Sequence, residues 1–487
     1  MTSLDRYVHP LTDRYASREM QAIFSPGRRF GIWRRLWLAL AEAEAELGLD
    51  VSDEALGEMR AKLDTIDLAR AAALEKRFRH DVMAHVHLFG EDAPAAKAII
   101  HLGATSAFVT DNADIILHRT ALELIRERLV RCVGALADFA RTHADVATLA
   151  YTHFQPAQPT TVGKRATLWI QDLLLDIEEI DYRLETLRFR GVKGTTGTQA
   201  SFLELFGGDH GKVEALDADV TKRMGFERAF AVSGQTYTRK LDYQVQASLA
   251  GAAISISKIG HDLRLLAHLR EVEEPFEEEQ IGSSAMPYKR NPMRAERMCA
   301  LARHVIVLAQ DPAFTAATQW LERTLDDSAN RRVSIPDAFL ALDGCLVVLE
   351  NVAKGLVVNP EVIRRNLAEH LPFMAVETIL MHAVSRGGDR QQLHERLRRH
   401  SIEAARQIKE GAAEGATQGT EVDLLGRIAA DRAFGLSRAE LDRLADAARY
   451  VGRAPEQVAR FLEDHVTPLL ARPRERTPTV AEAALHV

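Results

Sequence analysis

The stretch LDYQVQASLAGAAISISKIGHDLRLL, residues 241–266, carries apolar side chains at Leu241, Val245, Leu249, Ala252, Ile256, Ile259, Leu263 and Leu266. Every step is three or four residues. That spacing puts successive side chains on one face of an α-helix, so the segment reads as one long helix with a continuous apolar stripe. Val162, Ala166, Trp169, Leu173, Ile177, Ile180, Leu184 and Leu187 write a second stripe, and Ile115, Leu122, Ile125, Leu129 and Leu136 a third. A fourth runs through Phe339, Leu342, Leu346 and Leu349 and starts beside Pro336, a residue that a first helical turn tolerates.

Working outward, the 27 residues from Thr161 to Leu187 would span about 40 Å as a helix, longer than the average globular helix, and such helices need partners. No proline occurs between Pro159 and Pro275, while the glycines from Gly191 to Gly211 and those at Gly225 and Gly234 read as connections. Strand-like alternation is scarce. The expectation is an all-α chain built on an elongated helix bundle whose stripes pack on one another or on other subunits. Three domains are expected: a helical N-terminal domain over 1–110, the long-helix bundle over 111–358, and a helical C-terminal domain over 359–487. The last opens near Asn359-Pro360 and contains the loop GAAEGATQGTE at 411–421, with a tail, RPRERTPTVAEAALHV, that has a short helical possibility.

Composition removes several classes of function. Cys132, Cys299 and Cys345 are the three cysteines of 487 residues, far apart and without CxxC or Cys/His zinc spacing, so neither a disulfide framework nor a structural metal is indicated. The opening MTSLDRYVHPLTDRY has no signal-peptide or transit pattern, and charged residues interrupt the leucine-rich stretches before they reach membrane-spanning length. A cytoplasmic protein with no membrane partner is expected. The net charge of −7 argues against nucleic acid as the partner, so an anionic ligand would need a local Arg/Lys cluster.

The chemistry is concentrated in GSSAMPYKRNP, residues 282–292. Small flexible residues precede two hydroxyls, a lysine and an Asn-Pro pair, just before a helical run. Asn291 is placed to cap that run, with Pro292 in its first position. Two other features lead nowhere. His80, His85 and His87 lack the HExxH spacing of a metal site, and GVKGTTG lacks the spacing of an ATP or dinucleotide loop.

The undecapeptide is similar at every fixed position to the signature loop GSSxMPxKxNP of the fumarase/aspartase superfamily. The likeness extends through RHDVMAHVH (79–87), HLGATS (101–106), THFQPAQPTTVGKR (152–165), RGVKGTTGTQASF (190–202), GQTYTRK (234–240) and ERTLDDSANRR (322–332). With PYKRNP where fumarases read PGKVNP, the chain most resembles the adenylosuccinate lyase family in its animal-type form. That resemblance implies a central five-helix bundle in each subunit, a homotetramer with twenty central helices, and active sites assembled from three subunits. It also implies anti β-elimination of fumarate from small-molecule nucleotide substrates in purine synthesis, with no cofactor and no metal, because the substrate's own carboxylate takes up the electrons.

Matched residue by residue, Ser283 would be the base, acting as an alkoxide stabilised by Lys289 and backbone N–H groups, and His153 the acid that protonates the leaving nitrogen. Thr105, Ser106, Gln235, Lys289 and Asn291 would hold the succinyl carboxylates. Arg14, Tyr15, Arg297, Ser328 and Arg332 would take the phosphate, with Arg323 alongside and Arg79, His80 and Asp81 nearby, since guanidinium groups match oxyanions in bidentate fashion. The alternatives are another lyase of the superfamily, such as argininosuccinate lyase, which has no phosphate to bind, or a non-catalytic structural protein on the same fold.

Overall fold

The computed structural model describes residues 5–410 and 423–472; the 411–421 loop and the tail beyond Arg472 lie outside the described residues. The fold is all-α. Five long helices form its body: α1 Ser106–Thr142, α2 Val162–Thr186, α3 Lys240–His268, α4 Met293–Leu308 and α5 Asp327–Gly355. Helix α1 packs on α2 and α5, α3 packs on α2, α4 and α5, and α4 on α5. Each member of the 241–266 stripe is buried, as are Ile115, Leu122, Ile125, Leu129 and Leu136 on α1 and Phe339, Leu342, Leu346 and Leu349 on α5. Burying one such aliphatic side chain stabilises by about 1.5–3 kcal/mol, so these stripes supply much of what holds the bundle together. A second, separate apolar cluster joins residues between Ala375 and Ala445.

Helix α2 begins after Thr161, whose hydroxyl accepts the Lys164 N–H, so the second stripe coincides with its helix. Two details differ from the sequence expectation. Helix α5 starts at Asp327, nine residues before Pro336, which therefore lies inside the helix, where the missing N–H falls beside a cavity. Helix α4 has Pro292 at its cap with no side-chain bond, because Asn291 turns away to donate to the Gly282 carbonyl at 2.7 Å.

The bundle has two distinct ends. At one, the second turn of α1, the first turn of α5 and the residue before α3 are tied together by Arg239, whose guanidinium reaches Asp327 at 2.6 Å and Asp111 at 3.1 Å. At the other, a hairpin of β1 Ala147–Thr152 and β2 Gln155–Thr161 joins α1 to α2, and Thr148 bonds Glu271 just beyond α3. There Val272–Glu273 pairs with Val357–Val358, so the C-terminal ends of α3 and α5 lie side by side. The 29 residues of α5 therefore run the length of the bundle, about 43 Å at 1.5 Å per residue.

Candidate active site

At the first end, a cavity of about 670 Å³ is lined by Arg79, His80, Asp81, Ser106, Arg323, Ser328 and Arg332 among others. Seven of the residues matched from sequence thus share one wall. Two helices meet at a tight corner to present the first three. Arg79 ends the Leu68–Phe78 helix in the left-handed region (φ 55°), and His80 begins the Asp81–Asp92 helix, its Nδ1 accepting the Met83 N–H. A non-glycine residue there is strained, and such strain gathers at functional sites. His80 Nε2 lies 3.3 Å from the Ser106 hydroxyl in the first turn of α1, directly after Thr105, whose side chain makes no capping bond.

On α5, two faces of one helix turn do different work. Ser328 and Arg332, four residues apart, line the cavity, and Arg332 pairs with Asp81 at 2.7 Å. Burial would push the Asp81 carboxyl up, but Arg332 and the Val82 N–H bring it below its ordinary value. Asp327 and Arg331, also four apart, border the cavity too but are buried. Arg331 pairs with Asp242 at 2.7 Å and Asp114 at 3.0 Å, and Asp242 also accepts from the Tyr237 hydroxyl at 2.6 Å and sits 3.1 Å from His118. Against the upward push of burial, Arg331 and His118 hold Asp242 far below the usual carboxylate range. This network locks the rotation of α5, and with it the direction in which Ser328 and Arg332 point. Arg323, in the preceding loop, donates to the side-chain oxygen of Gln235.

The remaining matched residues lie elsewhere. Arg14 and Tyr15 belong to the Leu11–Tyr15 turn, which packs on α5 at Gly344, and the Arg297 guanidinium stands over the Tyr15 ring at 5.9 Å. Burial lowers the pKa of Arg297 and Arg14 adds to the effect, while Tyr15 opposes it. Tyr15 is held by its neighbour Ser17, whose N–H donates to the buried Asp343 at 2.6 Å.

At the far end of the bundle, His153 and Phe154 form the two-residue turn of the β1–β2 hairpin, closing Thr152 onto Gln155. Both have positive φ, 54° and 58°, as a type I′ turn demands, yet neither is Gly, Asn or Asp. His153 is exposed. Near that end, the signature loop folds on itself. A Cβ at Gly282 would lie 2.2 Å from the Lys289 carbonyl, so only glycine admits the approach. Ser283 Oγ accepts the Met286 N–H at 3.2 Å, while Lys289 extends into solvent and makes no side-chain bond to Ser283.

The structure brings together Arg79, His80, Asp81, Ser106, Arg323, Ser328 and Arg332, with Gln235 joined through Arg323. It leaves Arg14, Tyr15 and Arg297 midway, and His153, Ser283, Lys289 and Asn291 toward the opposite end. Sequence reading missed Asp111, Asp114, Arg239 and Arg331, although Arg239 and Arg331 stand inside matched segments. Of the three histidines weighed as ligands, His85 stacks on Phe30 at 3.8 Å and is pushed down to about 4 by burial, and His87 stacks on Phe78. Among the described residues, no group of three or more His, Cys, Asp or Glu is arranged to hold a metal ion, and no helix is long and apolar enough to cross a membrane.

The chain is similar to known proteins both in sequence and in fold. Residues 28–307 match a family described as Lyase, and residues 372–461 match one described as Adenylosuccinate lyase C-terminus. The chain is 54% identical over 469 residues to an adenylosuccinate lyase of Saccharomyces cerevisiae, covering 96% of each protein. It is 50% identical to one of Schizosaccharomyces pombe, covering 97% of each, and 49% identical to one of Schistosoma mansoni, covering 96% of this chain and 97% of that one. Among solved structures, a 3-carboxy-cis,cis-muconate lactonizing enzyme from Pseudomonas putida superposes with a TM-score of 0.79 at 25% identity, over 95% of this chain and all of that one. A fumarate lyase from a Mesorhizobium species shares the fold, with a TM-score of 0.76 at 22% identity over 94% of this chain and 99% of that one. With matches that run from Arg28 to Phe461 and relatives alike over nearly their whole length, the chain belongs to the adenylosuccinate lyase family of the fumarase/aspartase superfamily.

Proposed function

We propose that the protein releases fumarate from adenylosuccinate, leaving AMP, and from the succinylated aminoimidazole carboxamide ribotide, leaving the free carboxamide, by anti β-elimination in the cytoplasm. The observation that carries the reading is the 670 Å³ cavity whose wall gathers Arg79, Arg323 and Arg332 with the hydroxyls of Ser106 and Ser328, a size and chemistry suited to a phosphorylated, carboxylate-bearing ligand.

In this mechanism, Ser283 as alkoxide removes a proton from the succinyl carbon. The resulting carbanion spreads its charge into the neighbouring carboxylate, held by Thr105, Ser106, Gln235, Lys289 and Asn291. The electron pair then forms the double bond of fumarate as the carbon–nitrogen bond breaks, and His153 gives its proton to the departing nitrogen. Arg14, Tyr15, Arg297, Ser328 and Arg332 hold the phosphate. No cofactor enters the scheme.

Such a site needs more than one chain. The cavity and the proton-transfer residues stand at opposite ends of a bundle about 43 Å long, farther apart than any one substrate reaches. Leu168, Leu175 and Tyr182 on α2, seven residues apart, are more than half exposed, and Tyr243, Ile254 and Leu265 on α3, eleven apart, leave a second apolar line open. Lines of this kind mark surfaces that another copy covers, which supports a homotetramer with shared sites.

Purified protein given adenylosuccinate is expected to release fumarate; cleavage of argininosuccinate instead would overturn the reading. Mixing and exchanging inactive Ser283→Ala with inactive His153→Ala subunits is expected to restore part of the activity. No recovery would argue for a site within one chain.

A further inference from the structure

Three irregular segments meet behind Gln235. A Cβ on Gly197 would sit 1.8 Å from the Ser233 carbonyl oxygen, and one on Gly234 would sit 2.5 Å from that of Glu322, so three backbones touch in succession and only glycine fits at either joint. The Gln235 N–H closes the second joint on Glu322 at 3.1 Å. Into the back of this stack runs Arg190, which is 0% exposed. Its Nε donates to the Gln235 carbonyl at 2.8 Å, Nη1 to Gly191 at 3.1 Å and Nη2 to Gly194 at 3.1 Å. The backbone N–H groups of Arg190 and Gly191 both donate to Asn112 Oδ1 on α1, which pins the assembly to the bundle.

A buried guanidinium usually faces a carboxylate. This one bonds main-chain carbonyls instead, two of its own segment and one of the Gln235 loop, a task for a planar fork that an ammonium on a flexible stem cannot copy. On the other side of Gln235, the Arg323 guanidinium occupies Oε1. Arginine has donors and no acceptor, so the amide oxygen must be the atom turned toward it, and Nε2 is directed away.

We propose that Arg190 is a positioning residue for the elimination: it fixes the backbone of Gln235 so that, with Arg323 holding the amide oxygen, the Nε2 hydrogens are left to donate to a substrate carboxylate. The proposal rests on the lyase reading above and adds to it a residue that never touches substrate.

The test compares wild type, Arg190→Lys, Gln235→Ala and the double variant by steady-state fumarate release, with melting temperature and oligomeric state measured for each. Arg190→Lys is expected to lower kcat/KM on the order of 100-fold in the otherwise unchanged chain, the cost of a small misplacement of a group that orients substrate. In the Gln235→Ala background the same change is expected to cost less than about 3-fold, because the group it positions is gone. Equal factors in both backgrounds, or a wild-type kcat/KM in Arg190→Lys, would overturn the proposal. If Arg190→Lys does not fold, Gln235→Glu tests the step the proposal depends on, donation by the Gln235 amide. It keeps an oxygen for Arg323 and replaces the amide donor with a second carboxylate oxygen, so it is expected to be slower than Gln235→Ala, and a rate equal to or above that of Gln235→Ala overturns the proposal. A wild-type protein that leaves adenylosuccinate intact is a different result and removes the lyase reading itself.

Discussion

The two ends of the bundle are built on opposite plans. At the cavity end, three sets of ion pairs brace the wall, Arg332 with Asp81, Arg239 with Asp111 and Asp327, and Arg331 with Asp242 and Asp114, while Arg323 bonds Gln235 and Arg79 stays exposed. At the hairpin and loop end, His153 and Lys289 stand exposed, and Ser283 makes a single bond to a backbone N–H. Groups that recognise a fixed anion gain from being held in place beforehand, since ordering them on binding would cost affinity. Groups that move protons inside a water-excluding closure need freedom to close, and their interactions form only with substrate present.

The sharpest way to break this contrast is to remove the proposed proton-transfer groups. Ser283→Ala and His153→Ala are each expected to cut turnover on the order of 1,000-fold or more, with stability changed by no more than about 0.5 kcal/mol in urea unfolding. A large stability loss there would mean that the loop end is held as firmly as the cavity end. The converse experiment is Arg331→Met, which strands Asp242 and Asp114. Breaking a buried pair of this kind is expected to cost about 3–5 kcal/mol of unfolding free energy, and activity should fall along with it.

Glu44 is the opposite case, a buried carboxyl with no group to pair it. It lies on the Pro26–Glu46 helix, whose Arg29, Phe30 and Trp33 line the cavity, but it is fully buried and neither of its side-chain oxygens has a partner. Burial pushes its carboxyl up to about 8. A carboxyl whose folded pKa is raised is stabilising only while protonated, so stability should decline as pH climbs from about 4.5 toward 8. Glu44→Leu is expected to raise unfolding free energy by a few kcal/mol at pH 8, with the gain shrinking toward pH 5. A gain independent of pH would show that the carboxyl is not titrating. The smallest effect is expected from Asn291→Ala, which unties the loop neck from Gly282. The loss of that bond, together with a proposed carboxylate donor, should lower kcat/KM about 5-fold or more and cost about 1 kcal/mol of unfolding free energy.

The helices were legible because their stripes are local: a period of three and four can be counted inside one segment, and α2 starts and stops within a residue of Thr161 and Leu187. The paired charges were not. Asp111 meets Arg239 across 128 positions, and Arg331 meets Asp242 across 89, so no spacing rule connects them. The turn at His153 was hidden for a different reason: Thr-His-Phe-Gln carries none of the Gly or Asn that marks a two-residue hairpin. Pro336 misled in the opposite direction, looking like a helix start while sitting nine residues inside one. The candidate residues themselves came from the resemblance carried by the signature loop. What sequence could not convey is that they divide between the ends of the molecule.

Helix α5 joins those ends in one rigid piece, and that has a kinetic consequence. On the proposed mechanism, a chain with anion-binding residues at one end of a 29-residue helix and proton-transfer residues at the other would hold two halves of different sites. Its specific activity would then be a property of the population, steady at high protein concentration and falling on dilution as copies part, with a midpoint that reports subunit affinity without any separate binding assay.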